Sequence, residues 1–169
     1  MTHPLETIIR EADGFLVIGD SEASRFPALS FHSYTTHQKR FYCLDMGGLT
    51  ESRGGSPGLR VYDSVASLPP DRDDLAVIWV HPHRAAEAVG VAHEAGCRRV
   101  WFSFKTGHPD AVTRARELGM EVVEIGRCPV YYMDAKVGAC RAHTLMVKLS
   151  GAYSASPQTD PDAKRRELY

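Results

Sequence analysis

Short apolar runs punctuate the chain at residues 15–18, 41–44, 75–80, 100–104 and 122–125, with a shorter one at 59–62. They are continuous rather than alternating, the pattern of strands buried on both faces. Segments of helical character lie between them. Residues 84–95 (RAAEAVGVAHEA) are alanine-rich and stop at Gly96, a C-terminal cap glycine. Residues 109–118 (PDAVTRAREL) open on Pro-Asp and are followed by Gly119, and a further helix is predicted over 135–149. Alternation of strand and helix predicts an α/β fold, a doubly wound parallel sheet in three layers, α/β/α. Residues 1–150 read as one domain. Residues 151–169, polar and proline-containing from Ser154 onward, read as a mobile tail.

Ligands of such sheets bind beyond the carboxyl ends of the strands, where the strand order switches. Those ends read Gly19-Asp20-Ser21, Asp45-Met46-Gly47-Gly48, His81-Pro82-His83, Lys105-Thr106-Gly107 and Gly126-Arg127-Cys128-Pro129. The first, GDSEASR over 19–25, lacks the G-x-G-x-x-G of a dinucleotide loop. Ser21 or Ser24 suits a plain helix cap. The same residues suit a phosphate at a helix N-terminus, with Arg25 adding a charge-assisted contact. The residues alone leave both readings open.

The other ends are weighed in the same way. The stretch GGLTESRGGSPG (47–58) is a loop by composition, in which Arg53 is a candidate anion contact. His81 and His83 are spaced for a shared metal ion, but no neighbouring acid or cysteine completes a ligand set, so no metal is assigned. Pro82 reads as the start of a helix. Cys128 beside Arg127 has the setting of an activated thiol, yet no base accompanies it, and a packed cysteine is the plainer reading. G-x-S-x-G, H-E-x-x-H and Walker lysine motifs are absent, and no catalytic residue is assigned.

Composition narrows the classes. The chain has 169 residues, 43% hydrophobic and 24% charged, as a single globular domain does. Its 20 basic and 21 acidic residues give a net charge of −1, which argues against general nucleic-acid binding. No apolar run approaches the roughly 20 residues needed to span a bilayer. The opening MTHPLE has no basic segment followed by an apolar one, so no signal peptide is expected. Cys43, Cys97, Cys128 and Cys140 form no C-x-x-C pair and are expected as reduced thiols in the cytoplasm.

Taken in order, GDSEASR, VYDSVASLP and the long stretch from LAVIWVHPHR to VVEIGRCPV resemble a CoA-binding domain of the Rossmann type. The resemblance extends to small stand-alone CoA-binding proteins and to the amino-terminal domain of the succinyl-CoA synthetase α subunit, over residues 11–132. It implies that Gly19, Ser21, Glu22, Ala23, Ser24 and Arg25 hold the CoA phosphates. It implies that Val80, His81 and Pro82 line the nucleotide pocket, and that Lys105, Thr106 and Gly107 lie along the pantetheine arm. Arg127, Cys128 and Pro129 match a recurrent R-C-P turn. Two departures stand out. Asp20 occupies a position where a small residue is usual, and an apolar residue near Leu44 replaces a lysine, leaving Lys39, Arg40 or Arg53 to supply its charge.

The resulting expectation is a stand-alone, non-catalytic module for coenzyme A or an acyl-CoA. The synthetase's second domain, with its phosphorylated histidine, is not expected in the roughly forty residues after Pro129. Two alternatives remain. One is an NAD(P)-dependent oxidoreductase, for which Asp45 is the candidate ribose acceptor. The other is the CoA-binding subunit of a split acyl-CoA synthetase. A partner subunit or a homodimer is compatible with the sequence.

Overall fold

The computed structural model describes residues 2–25, 39–50, 60–70, 74–133 and 138–160. The helix expected after the Gly19–Arg25 loop, Arg53, and residues 161–169 of the tail lie outside them.

Six parallel strands form one sheet: β1 (Gly14–Gly19), β2 (Arg40–Asp45), β3 (Val61–Tyr62), β4 (Leu75–Trp79), β5 (Arg99–Phe102) and β6 (Glu121–Ile125). Their order is β3-β2-β1-β4-β5-β6, so the chain leaves β1 in one direction and later returns to its other side. The described helices are α1 (Pro4–Glu11), α2 (Ala85–Glu94), α3 (Pro109–Glu117) and α4 (Gly138–Leu149). This is the doubly wound, Rossmann-like α/β arrangement.

Alternate strand residues serve opposite faces, because successive side chains of a strand point to opposite sides. Phe15, Val17, Leu75, Val77 and Trp101 pack with Leu5 and Ile9 of α1 and Val147 of α4. Leu16, Ile18, Ala76, Ile78, Val100 and Phe102 pack against the alanine faces of α2 and α3. Full burial of each Ile or Phe stabilises the fold by roughly 1.5–3 kcal/mol. Gly96 (φ 91°) and Gly119 (φ 70°) end α2 and α3 in the left-handed region, as their positions in the sequence suggest. Helix α1 is absent from the apolar pattern. It is two turns long, and its buried pair Leu5 and Ile9 sits behind His3, whose Nδ1 accepts the Leu5 N–H at 3.1 Å.

The polar stretch after residue 150 continues onto this body. Arg127 donates to the carbonyls of Ala152, Ala155 and Ser156 at 3.2, 2.8 and 2.8 Å. The Gln158 N–H donates to Glu124 at 3.0 Å. His3, Tyr132 and Tyr153 stack in a row, with centroids 4.9 and 4.8 Å apart, and join the two ends of the chain. Among the described residues no helix is long and apolar enough to cross a membrane.

Candidate functional site

The buried polar and charged residues described are Asp20, Asp45, Ser103, Thr106, Glu124 and Arg127. All lie at or beyond the carboxyl ends of strands. Because burying a polar group without partners costs free energy, their confinement to one edge marks where the fold is doing something other than packing.

At the centre is the loop after β1. Over residues 20–25 it is a tight turn. Asp20 and Arg25 pair as an antiparallel bridge, N–H to carbonyl at 2.9 and 2.8 Å, and the Ser24 N–H closes on the Ser21 carbonyl at 3.0 Å. The left-handed position is filled by Ser24, at φ 56°. Among the described residues Lys105, at φ 53°, is the other non-glycine with positive φ. Both belong to loops expected to hold the ligand, where such strain tends to concentrate.

Three neighbouring loops hold this turn. From β2, Asp45 accepts the Ser21 N–H at 2.7 Å and the Ser21 hydroxyl at 2.6 Å, and also the Leu49 N–H at 2.7 Å. Gly47 follows so closely that a Cβ there would stand 2.7 Å from both the Glu22 nitrogen and Ser21 Oγ. From the loop after β4, Arg84 Nη1 lies 3.0 Å from Asp20 Oδ2. From the loop after β5, the Phe104 carbonyl and the Thr106 hydroxyl accept from Arg25 Nη2 at 2.7 and 3.2 Å, and the guanidinium sits 5.3 Å from the Phe104 ring centroid.

These ties account for Asp20. Its side chain is 1% exposed; one oxygen accepts the Ala23 N–H at 3.3 Å and the other faces Arg84. Its charge is therefore turned into the protein and opposed there. Glu87 and then Asp20 hold the Arg84 guanidinium above its ordinary pKa against the effect of burial. Burial lowers that of Arg25. At this edge the formal charges of Asp20, Glu22 and Asp45 equal in number those of Arg25, Arg84 and Lys105, and Glu87 adds one more acid beside Arg84. Asp45 spends both oxygens on N–H and O–H donors. Asp20 Oδ2 has the Arg84 charge beside it at 3.0 Å but no hydrogen bond, and the buried Arg25 Nε has no hydrogen-bond partner either.

The other sequence-derived residues divide clearly. Val80 is buried, while His81 is exposed and Pro82 half-buried, so only the latter two present surface. His81 Nδ1 accepts the His83 N–H at 3.5 Å and starts the turn leading into α2. Lys105 is exposed and Thr106 and Gly107 are buried. The structure thus brings 19–25, 80–82 and 105–107 together. Arg127 and Cys128 stand apart. The Arg127 guanidinium is taken up by Glu124 at 2.5 Å, by the Tyr132 hydroxyl at 2.9 Å and by the tail carbonyls. Burial pushes Glu124 upward against the pull of Arg127, and burial likewise opposes the charge of Arg127, which Glu124 holds raised. We take the pair as ionised, because Arg127 donates to four oxygens besides Glu124. Cys128 packs in the core. Among the described residues no group of three or more His, Cys, Asp or Glu side chains is arranged to hold a metal ion.

Residues 15–133 match the family model of the CoA binding domain. The chain belongs to the CoA-binding domain family. The match covers every loop of the site just described. None of the curated proteins compared with it matches. Solved structures share the fold of this CoA-binding domain. Prb, a protein redesigned for binding, superposes with a TM-score of 0.62 at 24% identity, over 76% of this chain and 86% of that one. A hypothetical protein from Pyrococcus horikoshii gives 0.63 at 23%, over 76% and 86%. A Thermus thermophilus protein gives 0.55 at 20%, over 73% and 92%.

The sequence reading placed Gly47 only within a loop, gave Arg84 no role and named Asp45 as the candidate ribose acceptor of the oxidoreductase alternative alone. A signal for Asp45 did exist: an acid closing a buried apolar run must face partners, and its register partner is Gly19. Nothing local marks Arg84, whose partner Asp20 is far away in sequence.

Proposed function

We propose that this domain binds coenzyme A or an acyl-CoA as a non-catalytic module, with the diphosphate on the 19–25 turn, the nucleotide against His81 and Pro82, and the pantetheine arm along Lys105–Gly107. The observation that carries this reading is the triply braced turn, which ends in a buried arginine nitrogen without a hydrogen-bond partner. A diphosphate supplies the missing acceptor, and a charge-assisted contact of this kind contributes about 1.5–3 kcal/mol. One glycine suffices because Ser24 takes the left-handed position.

The oxidoreductase reading requires Asp45 to accept from a ribose hydroxyl. Asp45 is 0% exposed and already accepts three donors, which disfavours it. A role as one subunit of a split acyl-CoA synthetase uses the same site and differs only in what docks beside it.

Native mass spectrometry of freshly purified protein tests the reading. The expected result is a ligand mass equal to CoA or an acyl-CoA, together with a thermal shift on adding CoA but not NADH. Stabilisation by NADH alone would replace this reading with the oxidoreductase one.

A further inference from the structure

Three of the chain's eight histidines meet on the rim of this site. The rings of His81 and His83 are 5.0 Å apart, and those of His83 and His108 are 6.0 Å apart. They come from two loops, after β4 and after β5. Arg84, the next residue after His83, pairs with Asp20 of the central turn, and Lys105 precedes His108 by one short turn. The cluster is therefore continuous with the site.

Hydrogen bonding fixes how two of the rings are turned. His81 Nδ1 accepts the His83 N–H at 3.5 Å, and His108 Nδ1 accepts the Asp110 N–H at 3.3 Å. An acceptor Nδ1 places the proton on Nε2, so each ring presents an N–H donor on the side away from its own backbone. Capping by itself explains neither the choice of histidine, since Ser, Asp or Asn caps at least as well, nor the presence of His83, which caps nothing.

The charged surroundings are few. Asp110 Oδ2 lies 3.6 Å from His108 Nδ1, Arg84 is engaged by Asp20 and Glu87, and Lys105 is exposed in the adjoining loop. Imidazolium rings this close repel one another, and an anion among them removes the repulsion.

We propose that His81, His83 and His108 form a phosphoryl-anion subsite that makes ligand binding tighten as the pH falls. The proposal rests on the CoA reading of the neighbouring turn. The sign follows from the ligand: phosphate favours the protonated rings, a gain that at His81 and His108 is partly offset by losing the bond their Nδ1 accepts, so affinity rises as pH falls. The gain levels off below about pH 6, where a phosphate monoester takes up its second proton. Since the CoA reading puts the diphosphate on the 19–25 turn, the phosphoryl group expected here is the 3′-phosphate, and dephospho-CoA, which lacks it, tests that.

The test is calorimetric titration of CoA and of dephospho-CoA at about pH 8 and about pH 6.5, with wild type, His83→Gln and His108→Asn. Asparagine retains the cap of α3, and His83 is exposed, so both variants should fold. The expected result is CoA binding about five- to tenfold tighter at the lower pH in wild type, from contacts of surface ion-pair strength. Most of that gain should be lost in each variant, with a smaller loss of affinity at the higher pH. If dephospho-CoA shows no gain, the subsite holds the 3′-phosphate; if it shows the same gain, it holds the diphosphate. Tight binding with equal affinity at both pH values, or an undiminished gain in both variants, overturns the subsite and leaves the CoA reading standing. Failure of both ligands to bind at either pH overturns both. One equivalent of Zn²⁺ held by these rings, with CoA affinity lost on chelation, would replace the subsite with a metal centre.

Discussion

Asp45 holds Ser21 twice, accepting its backbone N–H at 2.7 Å and its hydroxyl at 2.6 Å. The residue that ends β2 thereby fixes the turn that follows β1, and the parallel register of the two strands places it there, with Gly19 opposite Asp45. Asp45→Asn leaves one oxygen to serve three donors and turns an N–H₂ toward one of them. Loss of such a contact costs about 1–3 kcal/mol. Urea unfolding should show that destabilisation, and CoA should bind at least tenfold more weakly. Unchanged CoA affinity would mean that the turn's geometry does not matter to the ligand.

Gly47 sets how near the second loop can come. A Cβ at 2.7 Å from a backbone nitrogen cannot be accommodated without displacing the turn. Gly47→Val should leave circular dichroism and most of the thermal stability intact while removing CoA binding in calorimetry. A folded variant that still binds CoA normally would place the diphosphate elsewhere.

Arg25 braces the β5 loop through Phe104 and Thr106 and keeps a buried Nε without a hydrogen-bond partner. Arg25→Ala should weaken CoA about tenfold or more. Dephospho-CoA, which keeps the diphosphate, should suffer the same loss. If only CoA is affected, Arg25 meets the 3′-phosphate instead.

Arg127 should behave oppositely. It is 6% exposed and bound to Glu124, Tyr132 and the tail carbonyls. Arg127→Leu leaves the Glu124 carboxylate buried without its partner, at a cost of roughly 3–5 kcal/mol. Burial already raises Glu124, and removing Arg127 raises it further. A carboxyl raised in the folded state destabilises the fold above its unfolded pKa, and that penalty fades as pH falls through the folded value. The melting temperature should therefore drop sharply at neutral pH and recover in part as the pH falls and Glu124 protonates. Folded Arg127→Leu protein should keep its CoA affinity; a large loss would return Arg127 to the ligand site.

Much of this protein is legible in its sequence. Continuous apolar runs announce buried parallel strands, because a strand covered on both faces has no polar side to show. Gly96 and Gly119 mark helix ends, because the left-handed region excludes most side chains. The five polar strand ends follow from the fold class, and the order of motifs identifies the family. Which of those ends cooperate was settled by tertiary structure alone. Arg25 and Arg127 look alike in sequence, each beside a small polar or thiol residue after a strand. One reaches across to Phe104 and Thr106, while the other closes on Glu124 and the tail. Asp20 looks like a misplaced charge until Arg84, brought in from the loop after β4, stands opposite it. The three histidines are neighbours only because β4 and β5 pair in register. Local pattern determines which segments are buried and where they turn. The partner of a charge is determined by which strands lie side by side, and that depends on the packing of the whole chain.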